Sequence, residues 1–322
     1  MVQALPAHPP TQVRQAVFLG SKSLGLSILR VLLEASPGVQ WSVIHPDDTS
    51  DARSVLDEFR QLCHARALPF SLSASGAETR TQLARLRPDI GFVCGWYTLI
   101  DPQTLSSVAG GLWGIHNALL PRYRGASPLV WSMIRGEPVV GSSVFRLSSG
   151  MDDGELLHQV RVENTTDDDI ASILAKIEAR LIEELPGRWQ ALLEGRAELL
   201  AQSEAGASYC GQRIEADGLI DWQQAARTVH DFIRAQAPPY PGAFSFLGTD
   251  QIRFLASRPL DVRYDGTPGQ VLRRNPDGSV WIACGDSSAI EIRRVEIGGQ
   301  STAPADCLKS VRLRLTRTPA AA

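Results

Sequence analysis

The first 116 residues alternate short apolar runs with helical stretches, and that alternation restricts the chain to few folds. Ala16–Gly20 is an apolar run ending in glycine, followed by a helical stretch through Glu34. Trp41–His45 reads as a second strand, and Asp51–Arg66 as a helix capped by Ser50 or Asp51. Phe70–Leu72 is a short third strand and Glu78–Leu86 a helix, and Pro88 interrupts the chain ahead of the apolar run Ile90–Cys94. A helical turn near Gln103–Val108 then leads into Leu112–Ile115, the strand that delivers His116. Such alternation predicts a doubly wound, Rossmann-like α/β domain with a parallel sheet and right-handed crossovers. Ligands of these sheets bind beyond the carboxyl ends of the strands. His116 and the Gly95-Trp96-Tyr97 segment both lie at such ends. His45, at the end of the second strand and followed by Pro46-Asp47-Asp48, reads as a loop residue.

Ser127–Arg135 reads as a helix, Ser142–Leu147 as the strand that leads to Asp152, and His158–Val162 as another strand. A long amphipathic helix covers Asp168–Glu183, with Trp189–Leu193 continuing after Pro186-Gly187. Composition shifts around Gly195–Ser208, as in a linker. Beyond it come short β runs at Gln251–Leu255, Gly269–Leu272, Val280–Cys284, Ile290–Ile297 and Val311–Leu315, separated by Gly, Pro and Asp. Regular short strands of this kind predict a small β-barrel-like (OB-like) C-terminal domain. The expected organisation is a flexible leader over 1–15, an α/β domain over 16–195, a linker over 196–208 and a β domain over 209–322. Thr318–Ala322 is expected to fray.

With 43% hydrophobic and 21% charged residues, 322 residues are ample for a buried core. No run approaches eighteen consecutive apolar residues, so no membrane span is expected. Met1–Gln12 carries Pro6, Pro9 and Pro10 without the basic-apolar-small order of a signal peptide. The five cysteines are odd in number and show no zinc spacing, which points to reduced thiols in a cytoplasmic protein without a metal site. No Gly-x-Gly-x-x-Gly fingerprint follows the first strand, which argues against a dinucleotide-dependent oxidoreductase. Phe18-Leu19-Gly20-Ser21-Lys22-Ser23 likewise lacks the phosphate-loop pattern and reads as a tight strand–helix turn.

Two runs carry chemistry. Gly-Ile-His-Asn-Ala-Leu-Leu-Pro-Arg-Tyr-Arg-Gly spans 114–125, and Gly-Met-Asp-Asp-Gly-Glu spans 150–155. A histidine at the end of an apolar strand, ahead of a Pro/Gly-punctuated basic loop, suits a positioned general base. A carboxylate 36 positions later, on a Gly-bracketed turn, suits a group that orients the imidazole and stabilises its protonated form. These runs closely resemble the folate-dependent formyltransferases, which include methionyl-tRNA, glycinamide ribonucleotide, UDP-amino-sugar and siderophore hydroxyornithine formyltransferases. That family carries Asn-x-His-x-Ser-Leu-Leu-Pro-x-Tyr-x-Gly and then Asp-x-Gly-Asp at this spacing. The resemblance extends from about Ala16 to Gly299. Its C-terminal part includes Asp217-Gly218-Leu219-Ile220-Asp221-Trp222, Ile233-Arg234-Ala235 and Pro239-Tyr240-Pro241-Gly242-Ala243-Phe244.

The resemblance implies transfer of a formyl group from 10-formyltetrahydrofolate to an amine, with no metal. It makes His116 the base, Asp152 its partner, and the position two residues before the histidine the amide donor to the developing oxyanion. Here that position is Gly114. Strand alternation puts 114 and 116 on one face, so the missing side chain would point into the site. Losing one such donor typically costs about 10²–10³ in rate. Three outcomes stay open: Asn117 supplies the amide from the loop, a backbone N–H or the imidazolium serves, or the protein is a weak or inactive relative. A glycine there also makes room for a different acceptor. By resemblance Trp96, Tyr97, Leu119, Arg122 and Gly150 border the folate, and Tyr123, Arg124 and Gly125 the acceptor. Arg122 and Arg124 offer guanidinium forks for phosphate or carboxylate.

The acceptor is less constrained. Residues 207–322 hold 14 Lys/Arg against 12 Asp/Glu, a difference of +2, with Lys309 the one lysine. That is thin for a tRNA surface, where phosphate contacts dominate affinity. Asp217–Phe246 is at least as similar to UDP-amino-sugar and hydroxyornithine formyltransferases. Arg263-Tyr264-Asp265-Gly266-Thr267-Pro268-Gly269 is similar to the siderophore branch. The expected partner is a small-molecule amine or hydroxylamine, an amino sugar nucleotide or a hydroxyornithine-like compound. Methionyl-tRNA formyl transfer, a hydrolase that releases formate, and a non-catalytic folate-binding relative stay open, as does a homodimer.

Overall fold

A computed structural model of the chain describes residues 13–51 and 53–319. Residues 1–12 of the expected leader and 320–322 of the expected frayed end lie outside the described residues, while Gln15 already belongs to the first strand. The chain divides into two compact units. The first holds the residues up to 125 with 141–161 and 177–209, and the second holds 126–140, 162–176 and the residues from 210 onward.

Strands and helices alternate as β1 (Gln15–Gly20), α1 (Lys22–Ala35), β2 (Gln40–Pro46), α2 (Leu56–Ala65), β3 (Phe70–Ser73), α3 (Gly76–Leu86), β4 (Ile90–Cys94), α4 (Pro102–Ser106) and β5 (Leu112–His116). After them come the two-residue β6 (Arg124–Gly125), α5 (Pro128–Ile134), β7 (Val139–Arg146), β8 (Leu156–Glu163) and α6 (Ile170–Leu193). Seven strands form one sheet in the order β3-β2-β1-β4-β5-β7-β8. The central β1 and β4 are buried almost end to end, as expected of strands covered on both faces. At the end of β1 the chain turns so tightly against β4 that a Cβ on Gly20 would stand 2.2 Å from the Cys94 carbonyl oxygen. Only glycine fits there. Ser21 completes the turn, donating its backbone N–H to Cys94 O and its hydroxyl to Gly95 O. The strand order reverses at β1/β4, which opens the ligand crevice of a doubly wound sheet beside Gly95.

Four expectations change in the first unit. The sheet is mixed rather than parallel: β1, β2, β3, β4 and β5 pair in parallel, but β7 runs antiparallel to β5, with His116 opposite Ser143 and Trp113 opposite Arg146. After His116 the chain re-enters the sheet from the end at which it left, so β7 must run the other way. The helix expected over Asp168–Glu183 and its continuation over Trp189–Leu193 form one unbroken α6, which passes through Pro186. A proline inside a helix costs about 3 kcal/mol. Leu181, Leu185, Trp189 and Leu192 are all buried on α6, at about 1.5–3 kcal/mol each, which outweighs it. The helix expected from Asp51 starts at Leu56, since Asp51 is drawn into bonds with Lys22 and Arg53. His45 is not a loop residue: it is fully buried within β2, edge-on to Phe59 at 4.8 Å, and burial holds its pKa below the usual histidine value.

The second unit contains β9 (Tyr209–Cys210, which begins at the boundary), α7 (Ala226–Arg234), β10 (Ala243–Leu247), β11 (Asp250–Arg263), β12 (Val271–Arg274), β13 (Val280–Ala283), β14 (Ser288–Ile297), β15 (Gln300–Thr302) and α8 (Pro304–Cys307). Its antiparallel sheet runs β10-β11-β14-β13-β12, with β15 on β14. The strand expected over Val311–Leu315 is instead an irregular segment that makes isolated bridges, Thr316 to Phe246 and Arg314 to Gln270. Helix α7, not foreseen, packs on β11 with Val229 and Ile233 in a core shared with Trp222, Phe254 and Ile290. It also buries Arg234, whose guanidinium binds Asp231, Asn164 and the carbonyls of Thr165 and Asp168.

Two stability effects follow. Trp189 is fully buried between Phe92 and Trp41, with ring centroids 5.5 and 5.9 Å away. Trp189→Ala is expected to lower the unfolding free energy of its unit by about 3–5 kcal/mol in urea titrations. Burial works to raise the Asp168 carboxyl, but bonds from Lys176, Thr165 and Ser172 prevail and hold it at about 2. A carboxyl held below its unfolded value of about 3.9 contributes stability above that pH and loses it as pH falls through the folded value. The stability difference between the wild type and Asp168→Asn is therefore expected to shrink as pH falls from about 4 to about 2.

Candidate active site

His116 ends β5 with its side chain 9% exposed, and two loops fix the ring. Its Nε2 lies 2.7 Å from the Tyr123 carbonyl oxygen. A carbonyl only accepts, so Nε2 carries a hydrogen and, in the neutral ring, Nδ1 holds the lone pair. Nδ1 faces the Asp152 carboxylate, Oδ2 at 3.6 Å. The same Oδ2 accepts the Gly125 N–H at 2.8 Å. A proton gained at Nδ1 therefore meets a carboxylate already held in place, and the imidazolium has an acceptor on each nitrogen. Asp152 is the more open of the pair, with a quarter of its side chain exposed.

The backbone around this pair is strained. Tyr123 (φ +60) and Asp152 (φ +51) adopt the left-handed region, and Gly125 has φ +100. Non-glycine residues in that region cost about 1–3 kcal/mol and persist where the surroundings over-determine them. Here the surroundings are specific. Ser143 on β7 donates its hydroxyl to Ala118 O at 2.6 Å and accepts the Leu120 N–H, while Gln159 donates to Leu120 O. Ser142 binds His116 O at 3.0 Å and Asn117 Oδ1 at 3.1 Å. The loop after the histidine is thereby fastened to the neighbouring strands.

A cleft of about 250 Å³ opens beyond the ends of β4 and β5, lined by Gly95, Trp96, Gly114, Leu147, Gly150 and Asp152 among others. Its walls mix apolar side chains such as Val93 and Leu105 with the polar Thr98, Ser148 and Asp152. Gly114 forms part of the wall, and a Cβ there would stand 3.2 Å from Leu147 Cδ2. Leu147 thus occupies the space into which a side chain at 114 would grow. Nothing in the sequence around Leu147 marked it. Its role comes from the antiparallel register that sets Phe145 opposite Gly114.

Of the other residues singled out in the sequence, Trp96 packs partly into the core beneath the cleft, while Tyr97 is 63% exposed with the Lys22 ammonium 5.6 Å from its ring. That ammonium is bound to Asp48 and Asp51. Asn117 is tied to β7 through Ser142. Leu119 is half-buried beside Gly141 of β7, and Arg122 is exposed, its guanidinium 5.2 Å from the Tyr123 ring. Arg124 is 1% exposed, and its guanidinium binds Gln202, Glu204 and the Tyr209 hydroxyl. Gly125 bonds to Asp152 as above. Among the described residues no three His, Cys, Asp or Glu side chains converge as a metal site, and no helix is long and apolar enough to cross a membrane.

The family model described as “Formyl transferase” matches residues 47–186, and that described as “Formyl transferase, C-terminal domain” matches 213–312. The chain belongs to the formyl transferase family. Solved formyltransferase-fold structures agree in fold. HypX from Aquifex aeolicus in complex with tetrahydrofolic acid is 18% identical with a TM-score of 0.62, over 92% of this chain and 47% of HypX. The chain thus spans about half the length of HypX. WlaRD, a sugar 3N-formyl transferase solved in the presence of dTDP and 5-N-formyl-THF, is 15% identical with a TM-score of 0.66, over 90% and 99% of the two chains. An N-formyltransferase from Helicobacter canadensis, in complex with folinic acid and dTDP-3-aminofucose, is 14% identical with a TM-score of 0.66, over 87% and 98%.

The shared volume at 114 and 147 is testable without substrate. Gly114→Asn is expected to destabilise this formyl transferase domain by about 1–3 kcal/mol through overpacking. Adding Leu147→Ala should recover part of that loss. Strictly additive effects of the two substitutions in urea titrations would separate the positions.

Proposed function

We propose that the protein transfers the formyl group of 10-formyltetrahydrofolate to the amine or hydroxylamine of a small-molecule acceptor, an amino sugar nucleotide or a hydroxyornithine-like compound. The observation that carries this reading is the His116–Asp152 pair beside the cleft beyond β4 and β5, in a chain matched by both formyl transferase models. His116 takes the acceptor's proton at Nδ1, and Asp152 stabilises the imidazolium. The acceptor nitrogen bonds to the formyl carbon, the bond from that carbon to folate N10 breaks, and N10 regains a proton. Trp96, Tyr97, Leu119, Arg122 and Gly150 border the folate in this reading, with Tyr123 and Gly125 toward the acceptor. Arg124 acts from behind the loop, since its guanidinium is already bound within the protein.

Gly114 stands where the family pattern has asparagine. Asn117 is the candidate replacement: its amide is anchored at Ser142 directly after His116, and we read it as the donor toward the developing oxyanion. We also read the C-terminal sheet as a small barrel, supported by the bridges from Arg314 and Thr316 to Gln270 and Phe246. The free cysteines support a cytoplasmic setting.

The test is mass spectrometry of a UDP-4-amino sugar, a dTDP-amino sugar, hydroxyornithine and methionyl-tRNA, each incubated with protein and 10-formyltetrahydrofolate. A formyl gain on a small-molecule acceptor is expected. His116→Ala should lower that transfer by about 10²–10⁴-fold while folate still binds. Asn117→Ala should lower it by about 10²–10³-fold. Formyl gain on methionyl-tRNA alone, or tetrahydrofolate released equally without acceptor, would replace the reading with the tRNA enzyme or the hydrolase.

A further inference from the structure

The segment after α6 contains a side chain that touches both loops of the candidate site. Leu200 pairs with Leu156 through two backbone hydrogen bonds, 2.8 and 3.0 Å. Two residues on, the Gln202 amide donates through Nε2 to Asp152 O at 2.8 Å and to Gly154 O at 2.7 Å. Its Oε1 accepts from Arg124 Nε at 3.2 Å and Nη2 at 3.0 Å. The guanidinium only donates, so it fixes which end of the amide faces the carbonyls. Further along, Ser208 accepts the Tyr123 N–H on its hydroxyl and the Arg124 N–H on its carbonyl, at 2.9 and 2.8 Å.

Resting on the proposed function, we infer that Gln202 is a positioning residue that holds Asp152 against His116. Asp152 sits in the left-handed region, which is uncommon for any residue but glycine. Its side chain is held from one side by the Gly125 N–H and its backbone carbonyl from the other by Gln202. Arg124, on the loop that supplies the Tyr123 carbonyl to His116, grips the far end of the same amide. One side chain therefore couples the loop that orients the imidazole to the turn that carries the carboxylate. Removing the amide frees the Asp152 turn to relax, and the carboxylate moves off the imidazole.

Gln202→Met keeps the length and removes both donor and acceptor. Gln202→Glu keeps the partner of Arg124 and removes only the donation to the two carbonyls. Each is expected to lower kcat for formyl transfer by about 10–100-fold, the scale of a catalytic group displaced by about 1 Å. The KM for 10-formyltetrahydrofolate should change by less than about threefold, because most of the cleft lining lies outside the Asp152 turn. In an Asp152→Asn background, adding Gln202→Met should change kcat less than about threefold, as residues acting as one unit are not additive. Amide hydrogen exchange reads the same device without substrate. The Gly125 N–H, which depends on Asp152, should exchange at least about tenfold faster in either variant, while the Leu200 N–H keeps its protection. Unchanged exchange at Gly125, or effects of Gln202→Met and Asp152→Asn that multiply independently, would overturn the assignment. If the wild-type protein transfers no formyl group to any acceptor, the functional reading falls, and Gly125 exchange still decides whether Gln202 holds Asp152.

Discussion

The candidate site depends on the hydrogen bond from the Gly125 N–H to Asp152 Oδ2. It brings a turn that follows β7 to a loop that follows β5, and it sets the carboxylate 3.6 Å from the His116 imidazole. Without it Asp152 would be an ordinary member of an Asp-Asp-Gly turn. Gly125 takes its positive φ freely, while the left-handed Asp152 at the other end of this bond is a non-glycine conformation that its neighbours hold in place. Ser143 and Gln159 hold the loop, and Tyr123 O fixes the imidazole that the carboxylate faces. The tautomer of His116 is a consequence of this arrangement rather than a property of the histidine.

The mixed sheet makes that geometry reachable. Because β7 returns antiparallel to β5, Ser142 and Ser143 stand beside His116 and the chain leaves β7 at the opposite end, past Leu147 toward Asp152. A fully parallel sheet would have placed these serines elsewhere. The same register explains the glycine at 114, whose missing side chain leaves space that Leu147 fills. A larger residue at 114 would press on the end of the Leu147 side chain.

Much of this was legible in the sequence, for identifiable reasons. Strands β1, β4 and β5 were readable because burial on both faces makes them continuous apolar runs, with Ile90–Cys94 recovered to the residue. That His116 and Asp152 lie together was readable from the spacing of the two runs that carry them. The direction of β7 was not, since a strand's residues do not record which way it runs. Neither was the passage of α6 through Pro186, where long-range burial of Trp189 and its neighbours overrides local preference. Arg124 read as a free guanidinium fork because its partners, Gln202 and Glu204, lie some eighty positions away. Helix α7 was obscured by His230, Asp231 and Arg234, polar residues that are buried by mutual pairing and by contacts with Thr166 and Asn164.

The central claim is that the cleft beyond β4 and β5 presents a folate formyl group to the His116–Asp152 pair. The most direct measurement is a crystal structure with 5-formyltetrahydrofolate, an isomer of the donor. The account predicts a pterin ring between Trp96 and Leu147, with the formyl-bearing edge on the Asp152 side and space for an acceptor nitrogen about 3–3.5 Å from the formyl carbon. A folate bound outside this cleft, or one whose formyl group points away from Asp152 into solvent, would contradict it.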